Sequence, residues 1–112
     1  MSGPRLTRKL MLEAAQLTPD GAGGWTEVWA PLGTVWAEMR PAGGSEAGAE
    51  AATLSQTPYR VTVRAAPPGA PSRPRPGQRF VDGARLFRIL AVIESDPAGR
   101  YLTCLTEEEV AA

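Results

Sequence analysis

Tyr59-Arg60-Val61-Thr62-Val63-Arg64 decides how this chain folds. Tyr59, Val61 and Val63 point one way and Arg60, Thr62 and Arg64 the other, which is the period of two that a half-buried strand requires. A companion run lies further on: Phe80-Val81-Asp82-Gly83-Ala84-Arg85-Leu86-Phe87-Arg88-Ile89-Leu90-Ala91-Val92. Its Asp82-Gly83 dipeptide sits between apolar residues, and Gly accepts the positive φ that tight hairpin turns need. The spacing predicts strands over 79–82 and 85–94, joined as a hairpin. The remainder reads as strands added to this core or loops hung from it.

C-terminal to the hairpin, Asp96-Pro97-Ala98-Gly99 predicts a turn and Arg100–Thr106 a last strand, with Leu102 and Cys104 on one face. Glu107-Glu108-Glu109 and the residues after it read as a frayed acidic tail. Between the two decisive runs, residues 66–78 hold Pro67, Pro68, Pro71, Pro74 and Pro76. Proline denies donors to a ladder, so this segment is expected as a projecting basic loop with polyproline character.

N-terminal to Tyr59, residues 41–57 are rich in Ala, Gly and Glu and read as an exposed loop or a short helix, with Ser45 as a cap and Gly48 against it. In residues 25–40, Val35, Ala37 and Met39 alternate with Trp36, Glu38 and Arg40. Pro31 and Gly33 come before, so the regular strand is expected to begin near Thr34. Trp25, Trp29 and Trp36 suit core or rim packing, or a subunit interface, where Trp is enriched. Thr18–Gly24 is a Pro- and Gly-containing turn. Residues 5–17 fit two patterns: Leu6, Leu10, Ala14 and Leu17 suit a helix, which propensity favours, and Leu6, Arg8, Leu10, Leu12 and Ala14 suit a strand equally well.

The chain has 112 residues, enough for one domain with one core, here 1–112. The 12 Gly and 11 Pro cluster, which predicts long irregular segments beside an ordered core. Cys104 is alone and no His is present, so an intrachain disulfide and every Ser–His, Cys–His or His–metal constellation within one chain are excluded. No apolar run nears the roughly 20 residues that span a bilayer, and no apolar segment follows the N-terminus as a secretory signal needs. No membrane is expected as a partner.

Chemistry is tested and set aside on the same residues. There is no phosphate-binding Gly loop, no EF-hand spacing and no metal-ligand spacing. Cys104 falls inside an apolar strand, where burial makes a thiol inert. No catalytic residue, metal or cofactor is expected. Formal charge is balanced, at 12 basic and 12 acidic residues, but it is unevenly placed. Arg60, Arg64, Arg73, Arg75, Arg79, Arg85 and Arg88 fall together, and five of the acids follow residue 88. A single-strand binder of OB type shows basic residues with exposed aromatics on strands. Here Tyr59, Phe80 and Phe87 fall on the core pattern.

In order, the chain offers an N-terminal Arg-Leu-x-x-x-Leu strand, then Asp20–Trp25 leading to Val35-Trp36-Ala37-Glu38-Met39-Arg40-Pro41. An Ala/Gly/Glu insertion, Tyr59–Arg64, Gln78–Ile89, and Tyr101-Leu102-Thr103-Cys104 with Glu107 complete it. This succession resembles the phage head–tail joining family, the head-completion, adaptor or stopper proteins of tailed phages and phage-like gene transfer agents. The resemblance covers roughly residues 5–109. It implies an all-β fold, a small β-barrel of about six strands, and it favours a strand over residues 5–17.

The resemblance further implies a subunit of a homo-oligomeric ring in a virion or phage-like particle. The ring would lie between the portal or adaptor protein of the DNA-filled head and a tail terminator or tail protein. It would close the channel, which passes double-stranded DNA without sequence specificity. Glu46 and Glu50 in the insertion and Arg73, Arg75 and Arg79 in and beside the Pro-rich loop are the candidate inter-subunit or channel residues. Trp25, Trp29 and Trp36 are the candidate interface aromatics. Basic residues of 60–88 on one copy would meet acidic residues of 89–112 on the next. An OB-like nucleic-acid-binding module, or an accessory domain of an enzyme, is the alternative.

Overall fold

The computed structural model describes residues 3–42 and 56–109. Six strands account for most of them: β1 Arg8–Pro19, β2 Trp25–Pro41, β3 Gln56–Arg64, β4 Arg79–Asp82, β5 Arg85–Glu94 and β6 Tyr101–Glu109. They close into one antiparallel barrel in the order β1-β2-β3-β6-β5-β4, with β4 hydrogen-bonded back to β1. No helix occurs among the described residues. The expected short helix of the 41–57 insertion falls almost wholly on residues outside them.

Alternation fixes which residues enter the core. Val61 and Val63 of β3, Phe87 and Ile89 of β5, and Leu102 and Cys104 of β6 are fully buried, and Tyr59 packs against them. Phe80, Leu10, Leu12 and Ala37 complete the set. The one buried polar side chain among the described residues, that of Thr106, is satisfied: its Oγ1 donates to the Tyr59 carbonyl at 3.0 Å. At the β4–β5 turn Asp82 pairs with Arg85, leaving Gly83 and Ala84 as a two-residue loop. Gly83 has φ +62°, the left-handed conformation such a loop needs in its first position.

Three expectations are corrected. β2 does not begin near Thr34 but runs unbroken from Trp25. A bulge absorbs the interruption: Leu12 faces Gly33 and Glu13 faces Pro31, with Leu32 left over and Gly33 at φ +145°. Pro31 lies where β2 has only β1 beside it, because β3 pairs only with Ala37–Pro41, so its missing N–H breaks no ladder on the open side. Second, Glu107, Glu108 and Glu109 are not a frayed tail. They continue β6 and pair with both β3 and β5.

Third, the Pro-rich segment does not project. Ala70 N–H bonds the Pro67 carbonyl, Arg73 N–H the Ala70 carbonyl and Gln78 N–H the Arg75 carbonyl, a chain of tight turns. Pro74 is buried. Gly77 and Gln78 exchange backbone bonds with Ile89 at 2.9 Å, which sews the segment to the β5 edge.

Candidate assembly surface

The register divides the molecule into a barrel and an arm. β1 touches β4 only through Met11–Glu13, and β2 touches β3 only from Ala37 onward. From Ala14 and Ala30 outward, the two strands pair with each other alone, as far as Pro19 and Trp25. This two-stranded ribbon leaves the barrel and extends about 20 Å from it, at the strand rise per residue. Its turn is held by Asp20, whose Oδ1 accepts from the N–H groups of Ala22 at 2.8 Å and Gly24 at 2.9 Å. Those backbone donors, Ala22 first, hold the Asp20 carboxyl below its usual range.

Directly opposed residues share a face, so one face of the ribbon carries Ala15, Leu17, Pro19, Trp25, Glu27 and Trp29. Leu17 and Trp25 are each 66 % exposed. At the base of this face Trp29 is half-buried, with the Arg79 guanidinium 4.0 Å from its ring centroid. Arg79 Nε donates to Glu13 Oε1 at 2.8 Å. Trp36 sits apart, on the outer wall of β2 beside Leu6 and Ala66. The three tryptophans thus divide: Trp29 packs at the rim, while Trp25 and Trp36 are exposed.

The candidate charges divide as well. Arg73 is tied down, its Nη1 donating to the Ala66 carbonyl at 2.7 Å. Arg79 is committed to Glu13 and Trp29. Arg75 is the exposed member of the three. Glu46 and Glu50 lie outside the described residues.

At the barrel mouth away from the ribbon base, two inward-facing ion pairs lie over the core. Arg85 Nε and Nη2 donate to Glu108 Oε2 and Oε1 at 2.7 and 2.9 Å, and Nη2 also reaches the Tyr59 hydroxyl at 3.3 Å. Tyr59 and Phe87 meet edge to face beneath, with ring centroids 5.4 Å apart. Arg8 meets Asp82 at 2.6 Å. The hydrogen bonds from Arg85 hold the Glu108 carboxyl below its usual range, and Glu108 in turn raises the Arg85 pKa. Arg88 approaches Glu107 and Glu109 at 4.0 Å on the outer wall. Arg85 and Arg88 of the basic 60–88 stretch therefore meet Glu107–Glu109 inside one chain, through the β5–β6 pairing.

Leu90 and Ile93 of β5 are exposed apolar residues that sequence reading passed over, together with Leu17 and Val28 of the ribbon. Alternation tells which face a side chain takes, not whether that face is covered, so the sequence held no signal for them.

A closed barrel, charges spent largely on internal pairs, and bare apolar side chains on an outlying ribbon define a small structural barrel protein suited to assembly. A family model described as phage head completion protein matches residues 1–109. The chain belongs to that family, whose members are structural parts of virions. A chain from the virion of a native gene transfer agent particle is 50 % identical, with 98 % of this chain and 100 % of that one covered and a TM-score of 0.79. A Shigella flexneri 2a protein of known solution structure has the same fold, at 21 % identity, full coverage of both chains and a TM-score of 0.70. No curated protein matches in sequence.

Proposed function

We propose that this chain is a ring-forming subunit of the head–tail junction of a gene-transfer-agent-like particle. The ring lies between the portal end of the DNA-filled head and the tail, closes the channel after packaging, and presents the surface on which the tail docks. The observation that carries this reading is the likeness, over 98 % of the chain at 50 % identity, to a chain of a gene transfer agent virion. The structural economy agrees with it. A ring subunit needs a rigid barrel and contact surfaces on its two sides, and a heterologous contact repeated about an axis closes on itself.

The OB-like alternative asks for aromatic side chains free to stack on bases. Phe80 and Phe87 are fully buried and Tyr59 packs against the core, so the aromatics that lie among the arginines of 60–88 offer no such platform.

Electron microscopy of particles made with and without this gene tests the proposal. Filled or leaking heads without tails, beside free tails, are expected when the gene is removed. Normal tailed particles in its absence would overturn the reading. Steeply salt-dependent DNA binding by the isolated protein would then bring the nucleic-acid reading forward.

A further inference from the structure

Four of the six exposed large apolar side chains among the described residues fall in two places, Val28 and Trp36 lying elsewhere. One is the ribbon face with Leu17 and Trp25; the other is the outer wall of β5 with Leu90 and Ile93, the latter 50 % exposed. Neither is covered by the described residues. A two-stranded ribbon standing alone is at best marginally stable in water, so a ribbon with bare Trp and Leu gains from lying on a second surface.

The two places are separate. Leu17 and Trp25 lie beyond Ala14 and Ala30, where β1 and β2 pair with each other alone, whereas Leu90 and Ile93 lie on β5 in the barrel. Two separate apolar patches on one subunit allow a head-to-tail contact that repeats. Charge agrees with shape. Residues 14–31 carry Asp20 and Glu27 and no basic residue. Beside the β5 wall, Ala91 faces Leu105 and Leu105 faces Arg60, while Arg64 faces Tyr101 on the same outer surface. Among the described residues no carboxylate forms an ion pair with Arg60 or Arg64.

We infer that the β1–β2 ribbon of each copy lies across the outer wall of β5 on the next copy, with Leu17 and Trp25 on Leu90 and Ile93 and the acidic ribbon toward Arg60 and Arg64. This inference rests on the ring proposed above and names the contact that closes it. It also relocates that contact, since Arg85, Arg88 and Glu107–Glu109 are occupied with one another in the same chain.

The test uses assembled particles carrying the double variant Trp25→Cys/Ile93→Cys, treated with a short bis-maleimide. Both positions are exposed, and the native Cys104 is buried with its thiol pushed up to about 12, so it stays silent. A ladder of covalent multimers is expected from the double variant and is expected to be lost in each single variant. Particles with ring density at the head–tail junction but only monomers after treatment would overturn the ribbon contact and leave the ring standing. Absence of the protein from the junction would overturn both. A second pair of variants guards against a merely unreactive geometry. Leu17→Asp is expected to keep the melting temperature of the free protein and lose incorporation into particles. Gln16→Asp, the same charge on the opposite ribbon face, is expected to be incorporated normally. Equal incorporation of the two would overturn the contact.

Discussion

Arg85 holds Glu108 by two hydrogen bonds, from Nε at 2.7 Å and from Nη2 at 2.9 Å, across the mouth of the barrel. The pair spans diagonal positions of β5 and β6, because Glu108 stands opposite Phe87 rather than opposite Arg85. It therefore lies on the inward side of the sheet, over the Tyr59–Phe87 ring pair. A two-point contact of this kind fixes the last residues of β6 in register.

The pair makes stability depend on acid. Glu108 has a folded pKa below its ordinary value of 4.5. Its contribution is thus complete above that ordinary value and is lost as pH falls through the lowered one. With Arg85 42 % and Glu108 21 % exposed, solvent screening limits the contribution to about 1 kcal/mol. Glu108→Gln is expected to cost about that much at pH 7 and progressively less as pH falls below 4.5, flattening the acid limb. Urea unfolding of both proteins across that range checks it. A constant difference at all pH values would show that the carboxylate's charge contributes nothing.

The core prediction concerns the two phenylalanines. Phe80 and Phe87 face each other across β4 and β5, both fully buried. Phe87→Ala is expected to destabilise by about 3–5 kcal/mol, from lost burial and the cavity left behind. Ile89→Val, which removes one methylene beside it, is expected to cost about 1 kcal/mol. Equilibrium denaturation measures both, and near-equal losses would contradict a close-packed barrel interior.

Much of this fold is legible in the residues because alternation and turn chemistry act locally. Tyr59–Arg64 and the Asp82-Gly83 hairpin read correctly since each strand has one buried face and the turn needs a residue with positive φ. Residues 5–17 fit two patterns for a physical reason: Leu and Ala are good helix formers, and only pairing with β2 and β4 overrides that preference. Pro31 and Gly33 misled because a bulge lets the strand continue past them. Glu107–Glu109 misled because a run of like charge is stable in a strand when Arg85 and Arg88 stand on the neighbour. The ribbon was illegible altogether, since where two strands lose their outer neighbours is decided by register and not by composition.

The ribbon base supplies a local test. Glu13, Arg79 and Trp29 form a stack in which the guanidinium is shared between a carboxylate and an indole. Arg79→Ala and Trp29→Ala, alone and together, are expected to show a coupling of about 1 kcal/mol in a double-mutant cycle. Additive losses would mean that the stacked geometry carries no energy of its own.

The Pro-rich segment is expected to behave as a fastened strap. Arg73 ties its own segment to the Ala66 carbonyl, whereas Arg75 is exposed. Arg73→Ala is therefore expected to speed proteolytic cleavage within 66–78, and Arg75→Ala to leave it unchanged. Cleavage at the same rate in both variants would show that tight turns and the Ile89 bonds alone hold the strap.

Cys104 reports on the barrel as a whole. It lies between Leu102 and Thr106 on the inward face of β6, opposite Val61 on one side and Val92 on the other, and burial pushes its thiol up to about 12. A thiol held so is protonated at neutral pH and screened from reagents. The native protein is expected to resist an aromatic disulfide reagent for as long as the barrel stays closed, with modification rising in step with urea unfolding. Rapid labelling without denaturant, while the circular dichroism remains native, would mean that β6 parts from β3 or β5 locally, and that the barrel opens along one seam before it unfolds.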